Sequence, residues 1–95
     1  MIYKCFSVYD KKVGVYGMPF FAINSVDAYR SFETLAMDDK TNVGRWPTDF
    51  DLVFLGDFDN ATGTLIPPDT GIQNLVNANT LVVANKDKAL SKPVE

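Results

Sequence analysis

The segment Trp46–Pro67, WPTDFDLVFLGDFDNATGTLIP, constrains the fold more than any other part of this chain. Asp51 to Phe58 is a run of apolar and aromatic residues that favours an extended, pleated strand. Asp59-Asn60-Ala61-Thr62-Gly63 supplies a turn, because Asp and Asn side chains bond nearby backbone and glycine tolerates a positive φ. Thr64-Leu65-Ile66 returns alongside, and Pro67-Pro68 end the pairing for want of an N–H. The segment therefore reads as one β-hairpin. Strand alternation places Leu52, Phe54 and Phe58 on one face with Gly56, and Val53 and Leu55 on the other, flanked by Asp51 and Asp57. One face suits a helix. The second is too apolar at its centre for water, so the C-terminal segment or a second copy must cover it. Val53 and Leu55 are the candidate dimer face, and a homodimer is expected.

What surrounds the hairpin follows from the remaining patterns. Met1–Tyr9 alternates as a strand. Val13–Ala22 holds a second strand, interrupted near Met18-Pro19, since proline belongs at an edge or a bulge. Asn24 or Ser25 caps a helix with Asp27 in its first turn, where a negative charge suits the helix dipole. Val26, Tyr29, Phe32 and Ala36 mark its inner face, widened by Ala28 and Leu35, and the helix ends near Met37 to Asp39. Lys40–Thr48 reads as a loop. Residues 71–85 read as an irregular segment with a short strand at 80–84, and residues 85–95 as a flexible tail. The expected architecture is one α+β domain over residues 1–84: a small, mainly antiparallel sheet in the order strand-strand-helix-strand-strand, one helix packed on a face, and an irregular C-terminal segment. Ninety-five residues with 46% hydrophobic content suffice for one such core.

Several chemistries are disfavoured by the residues themselves. The chain has no histidine and one cysteine, Cys5, which leaves neither an internal disulfide nor a nitrogen-and-sulfur zinc set, and no Ser-His or Cys-His nucleophile pair. No cofactor or metal is expected. Asp57–Gly63 resembles a calcium loop, but its sixth position is Thr62 rather than glycine and its twelfth is Pro68 rather than glutamate, so a hairpin turn is the better reading. Asp49, Asp51, Asp57 and Asp59 have no accompanying base or nucleophile, and acidic strand ends that deter edge-to-edge association explain them. The chain is read as non-enzymatic. It shows neither a signal peptide nor a stretch near the roughly 20 apolar residues of a membrane span, so no membrane is expected among its partners.

The net charge of −3 is unevenly spread. Residues 49–69 carry five Asp and no base, whereas residues 1–48 carry six Lys/Arg against five acids. Any anion-binding face must therefore lie outside the hairpin. Lys4, Lys11, Lys12, Arg30, Lys40 and Arg45, with Tyr9, Tyr16 and Trp46, would make a groove for single-stranded nucleic acid, cations following the phosphates and aromatic faces stacking on bases. An ordinary solvated surface with partly buried aromatics is the plainer alternative.

Phe6-Ser7-Val8-Tyr9-Asp10, Pro19-Phe20-Phe21-Ala22, Ala28-Tyr29-Arg30-Ser31-Phe32, Pro47-Thr48-Asp49-Phe50-Asp51-Leu52, Leu55-Gly56-Asp57-Phe58-Asp59 and Thr62-Gly63 occur in that order. Together they resemble the small nonstructural protein of gokushoviruses, the single-stranded DNA phages of the Microviridae, over roughly residues 1–66. The resemblance implies a non-capsid phage protein of the host bacterial cytoplasm that binds single-stranded DNA in genome synthesis or packaging. Lys11, Lys12, Arg30, Arg45 and Trp46 are the expected contacts. The alternative is a protein-interaction module that contacts the phage replication initiator, the capsid precursor or a host replication factor through a sheet edge or the acidic hairpin.

Overall fold

A computed structural model describes residues 1–91. Its centre is an antiparallel pair, β1 (Ile2–Asp10) and β4 (Phe50–Asp59), matched along their whole lengths from Ile2 opposite Asp59 to Asp10 opposite Phe50. Two short strands, β2 (Val15–Tyr16) and β3 (Phe20–Ala22), line the outer edge of β1 one after the other. They are the interrupted second strand expected from Met18-Pro19. On the outer edge of β4, β5 (Thr64–Ile66) pairs with Asp57–Asp59 and β6 (Gln73–Asn77) with Asp51–Phe54. The result is an antiparallel sheet four strand positions wide, with two composite edges.

The hairpin closes as its residues predict. Ala61 N donates to Asp59 Oδ1 at 2.9 Å, Gly63 N donates to Asp59 O at 2.8 Å, and Gly63 sits at φ 72°. The strand leading into it is less regular. The β1–β4 register shifts between Cys5, opposite Gly56, and Phe6, opposite Phe54, so Leu55 is an extra, bulged residue. Gly56 makes this possible. Its φ is 146°, and a Cβ there would run into the carbonyl oxygen of Ile66.

The bulge corrects the expected faces of the hairpin. Direct cross-strand neighbours share a face. Leu52 and Phe54 therefore lie with Val8 and Phe6, but Asp57 now joins them, opposite Lys4. Phe58 and Gly56 pass to the other face with Tyr3 and Cys5. Lys4 Nζ accordingly stands 3.5 Å from Asp57 Oδ1 and 5.2 Å from the Phe54 ring centre.

Helix α1 (Ser25–Ala36) covers the Phe6 face. Asn24 is its cap, accepting from Asp27 N at 3.0 Å, and Met37 ends it, as the sequence predicts. Ala28, Phe32 and Ala36 are buried against Phe6 and Leu52. Val26, expected on this inner face, is exposed. It lies two residues before Ala28, about 200° round the helix axis from it, and so faces away from the sheet.

The segment after Pro68 differs most from expectation. It contains β6 and then α3 (Ala78–Ser91), so residues 80–84 are helical rather than a strand. Asn77 caps this helix through Oδ1, which accepts from Asn79 N at 3.0 Å. Ala78 is buried and Leu81 and Val82 pack beside it, a spacing of three and four that puts one face on the core. A second shift between Leu52 and Val53 leaves Leu75 as the extra residue of β6. Tyr29 Oη donates to Leu75 O at 3.3 Å and ties α1 to that strand. The expected tail over 85–95 begins inside α3, and residues 92–95 lie outside the described residues.

The Lys40–Thr48 loop is also more ordered than a plain connection. It holds a short helix, α2 (Asn42–Arg45), capped by Thr41 and buried at Val43, followed by a 3-10 turn, Pro47–Asp49. Pro47 at the first position of that turn needs no hydrogen-bond partner.

Candidate nucleic-acid interface

One end of the β1–β4 pair gathers several of the residues singled out in the sequence. The turn after β1 is held by Asp10, whose Oδ1 accepts from Lys12 N at 3.0 Å and Val13 N at 3.2 Å. Gly14, at φ 82°, lets the chain reverse. Lys11 N donates to Asp49 O at 2.8 Å, which fastens this turn to the segment entering β4. The two strands therefore bring the 10–13 turn against α2 and the 3-10 turn. Between them is a cleft of about 470 Å³ lined by Asp10, Lys12, Val13, Asn42, Trp46, Asp49 and Phe50. Trp46 is 53% exposed there. Lys12 and Trp46, distant in sequence, thus share one concavity.

Lys11 turns to the opposite face. Its Nζ lies 3.6 Å from Asp51 Oδ1, and Asp51 is only 5% exposed. The carboxylate is held by Asn74 Nδ2 at 2.7 Å and Asn77 Nδ2 at 2.8 Å. Asn77 Nδ2 also reaches Thr48 O and Phe50 O. A buried carboxylate with this many donors is satisfied, so it fixes β6 to β4 and leaves Lys11 half-exposed above it.

The other expected contacts are placed elsewhere. Arg45 is exposed and donates through Nε to Asp39 O at 3.2 Å, outside the cleft. Arg30 lies exposed on α1, also outside it. Val53 is 3% exposed, already covered by its own chain. Leu55 is half-buried and lines a separate groove of about 430 Å³ with Cys5, Pro19, Phe21, Gly56, Leu65, Ile66 and Pro67. Burial in this groove pushes the Cys5 thiol pKa up.

The profile of the phage ORF5 protein family matches residues 3–81. The chain belongs to this family. Protein ORF5 of Chlamydia phage 1, a gokushovirus, is 38% identical over 77 residues, which cover 77% of this chain and 80% of that protein. No solved structure matches the chain. The matched region runs from β1 into the first turn of α3, so it takes in the cleft and the whole sheet. The resemblance to a small gokushovirus protein therefore holds for more of the chain than the hairpin and the strands before it. Among the described residues of this ORF5 family member, no helix is long and apolar enough to cross a membrane.

The aromatic residues of the helix-free sheet face were only partly legible in the sequence. Tyr9 and Tyr16 are cross-strand partners with ring centres 4.5 Å apart. Phe21 and Phe58 form a second pair at 5.6 Å. Phe21 is opposite Cys5 and so shares its face, while Phe58 arrives there through the bulge at Leu55. The signal for Phe58 was Gly56, since an isolated glycine inside a strand marks a bulge.

Proposed function

We propose that this ORF5 family protein is a non-enzymatic accessory protein that binds single-stranded DNA in the cytoplasm of the infected host cell, during genome synthesis or packaging. The observation that carries the reading is the shared cleft of Lys12 and Trp46, with Lys11 at the neighbouring end of the sheet. An exposed indole beside an ammonium is the combination that single-stranded nucleic acid uses, the ring for a base and the ammonium for a phosphate. Asp10, whose carboxylate accepts two backbone N–H groups of the turn, and Asp49 line the same cleft, and their charge opposes that of Lys12.

The test is a titration of a labelled single-stranded oligonucleotide followed by anisotropy at several salt concentrations, with Trp46 emission recorded in the same samples. Saturable binding that weakens with salt and changes Trp46 emission is expected. Joint replacement of Lys11 and Lys12 by Ala should reduce the salt slope by about 0.7 for each lost phosphate contact. Absence of binding at low salt would sink this reading and leave a basic protein partner, suited to the acidic hairpin, as the better account.

A further inference from the structure

We propose that the helix-free face of the sheet carries two base-stacking stations for single-stranded nucleic acid, one at Tyr9–Tyr16 and a second at Phe21–Phe58. This deepens the DNA-binding reading and rests on it, but the observations behind it are separate from the cleft.

The first observation is aromatic exposure. α1 and α3 cover the opposite face of the sheet; on this one the chain itself buries Ser7 and Val53, with Ser7 Oγ donating to Gly17 O at 2.8 Å, while Tyr16 and Phe21, on either side of Ser7 along β1, remain 50% and 53% exposed. The two pairs lie along β1, at Tyr9 and beside Cys5, so they are about 13 Å apart at roughly 3.3 Å for each strand residue. Rings set at intervals along a strand can take successive bases of an extended single strand. A duplex, with its bases already stacked, offers them nothing.

The second observation is the sorting of charge. The protein carries −3 overall, yet the carboxylates of the central strands avoid this face. Strand alternation and the bulge put Asp10, Asp57 and Asp59 on the helix-covered side. Asp51 alone is on the stacking side, and it is buried and held by Asn74, Asn77 and Lys11. The result is an aromatic surface with no free carboxylate on β1 or β4, its one Asp paired with Lys11, on a protein whose excess charge is negative. That partition removes the repulsion a polyanion would otherwise meet and lets its bases reach the rings.

The decisive experiment compares wild type with Tyr16→Ala and Phe21→Ala for binding to labelled oligothymidine and to a strand of the same length made of abasic nucleotides. Both positions are half-exposed, so circular dichroism and melting should show a retained fold. Each variant should bind oligothymidine roughly tenfold more weakly. Its salt slope should stay at the wild-type value, unlike that of the Lys11 and Lys12 replacement, and its affinity for the abasic strand should match wild type. Phe21→Tyr should keep affinity and Phe21→Leu should lose it, which separates a flat π surface from mere apolarity. If oligothymidine binds with the expected salt dependence and both Ala variants bind it as wild type does, the stacking surface is overturned while the DNA-binding reading stands. If no single strand binds, both fall. If Phe21→Ala instead dissociates a dimer seen by sedimentation and leaves DNA affinity unchanged, the face belongs to a second copy.

Discussion

The two faces of the sheet are built from the same strands and have opposite characters. On one, Phe6 and Leu52 meet Ala28, Phe32 and Ala36 of α1, with Ala78 of α3 beside them, and all are buried. Among the described residues no helix lies over the other, though the chain itself buries Ser7 and Val53 at its centre. It is lined by aromatic pairs, a neutralised Asp51 and a groove over Cys5. The covered face holds the fold together through burial. The helix-free face keeps its large rings in partial contact with water, an arrangement that contributes less to stability than full burial does. The proposed stacking stations can lie there because the other face supplies the stability.

The sharpest way to break this contrast is Phe32→Ala. Phe32 is fully buried between α1 and the sheet, and removing its ring leaves a cavity at the centre of the covered face. A loss of about 3–5 kcal/mol is expected, measured by urea unfolding. That is a large part of the roughly 5–15 kcal/mol available to a native domain. Tyr16→Ala and Phe21→Ala, on the other face, should each cost far less. Equal losses at Phe32 and Phe21 would show that the helix-free face is part of the core, and the contrast would be wrong.

The bulge decides which residues belong to which face, so Gly56→Ala tests the contrast at its hinge. Alanine there meets both an unfavourable φ and the backbone of Ile66. A destabilisation of about 2 kcal/mol or more is expected from the strain alone. The damage should concentrate at the β4–β5 pairing, with faster amide exchange at Phe58 and Leu65 than at Leu52. Uniform loss of protection along β4 would mean that the bulge is not a local device.

How far these faces could be read from the sequence depends on the kind of signal. The hairpin, β1, the interrupted second strand and α1 were legible because alternation, the Asn24 cap and Pro19 each act within a few residues. The bulge was not, because strand alternation carries no sign of an inserted residue except Gly56. β6 and α3 were hidden by asparagines. Asn74 and Asn77 look like loop residues, yet they pair with a buried carboxylate on another strand and cap a helix. Such long-range partners leave no local pattern. The site follows the same division. Lys12 and Trp46 were chosen for their chemistry, but their meeting depends on the Lys11–Asp49 backbone bond, and Arg30 and Arg45 share the chemistry without the place.

The smallest effect tests whether the floor of the helix-free face is dry. Cys5 points to that face yet is 5% exposed beneath the groove, and burial raises its thiol pKa. The neutral thiol is thus favoured in the folded protein relative to the unfolded chain. Its contribution to stability is fully present below the unfolded thiol pKa and is lost as pH rises through the folded one. Wild type should therefore lose more stability between pH 7 and alkaline pH than Cys5→Ala does, in paired denaturation curves. The thiol should also react with a disulfide reagent more slowly in the native protein than in denaturant, since the thiolate is the reactive form. If native and denatured Cys5 react at the same rate, water reaches the groove floor freely. The rings above it would then stand on a wet surface, and the difference between the two faces would be one of degree.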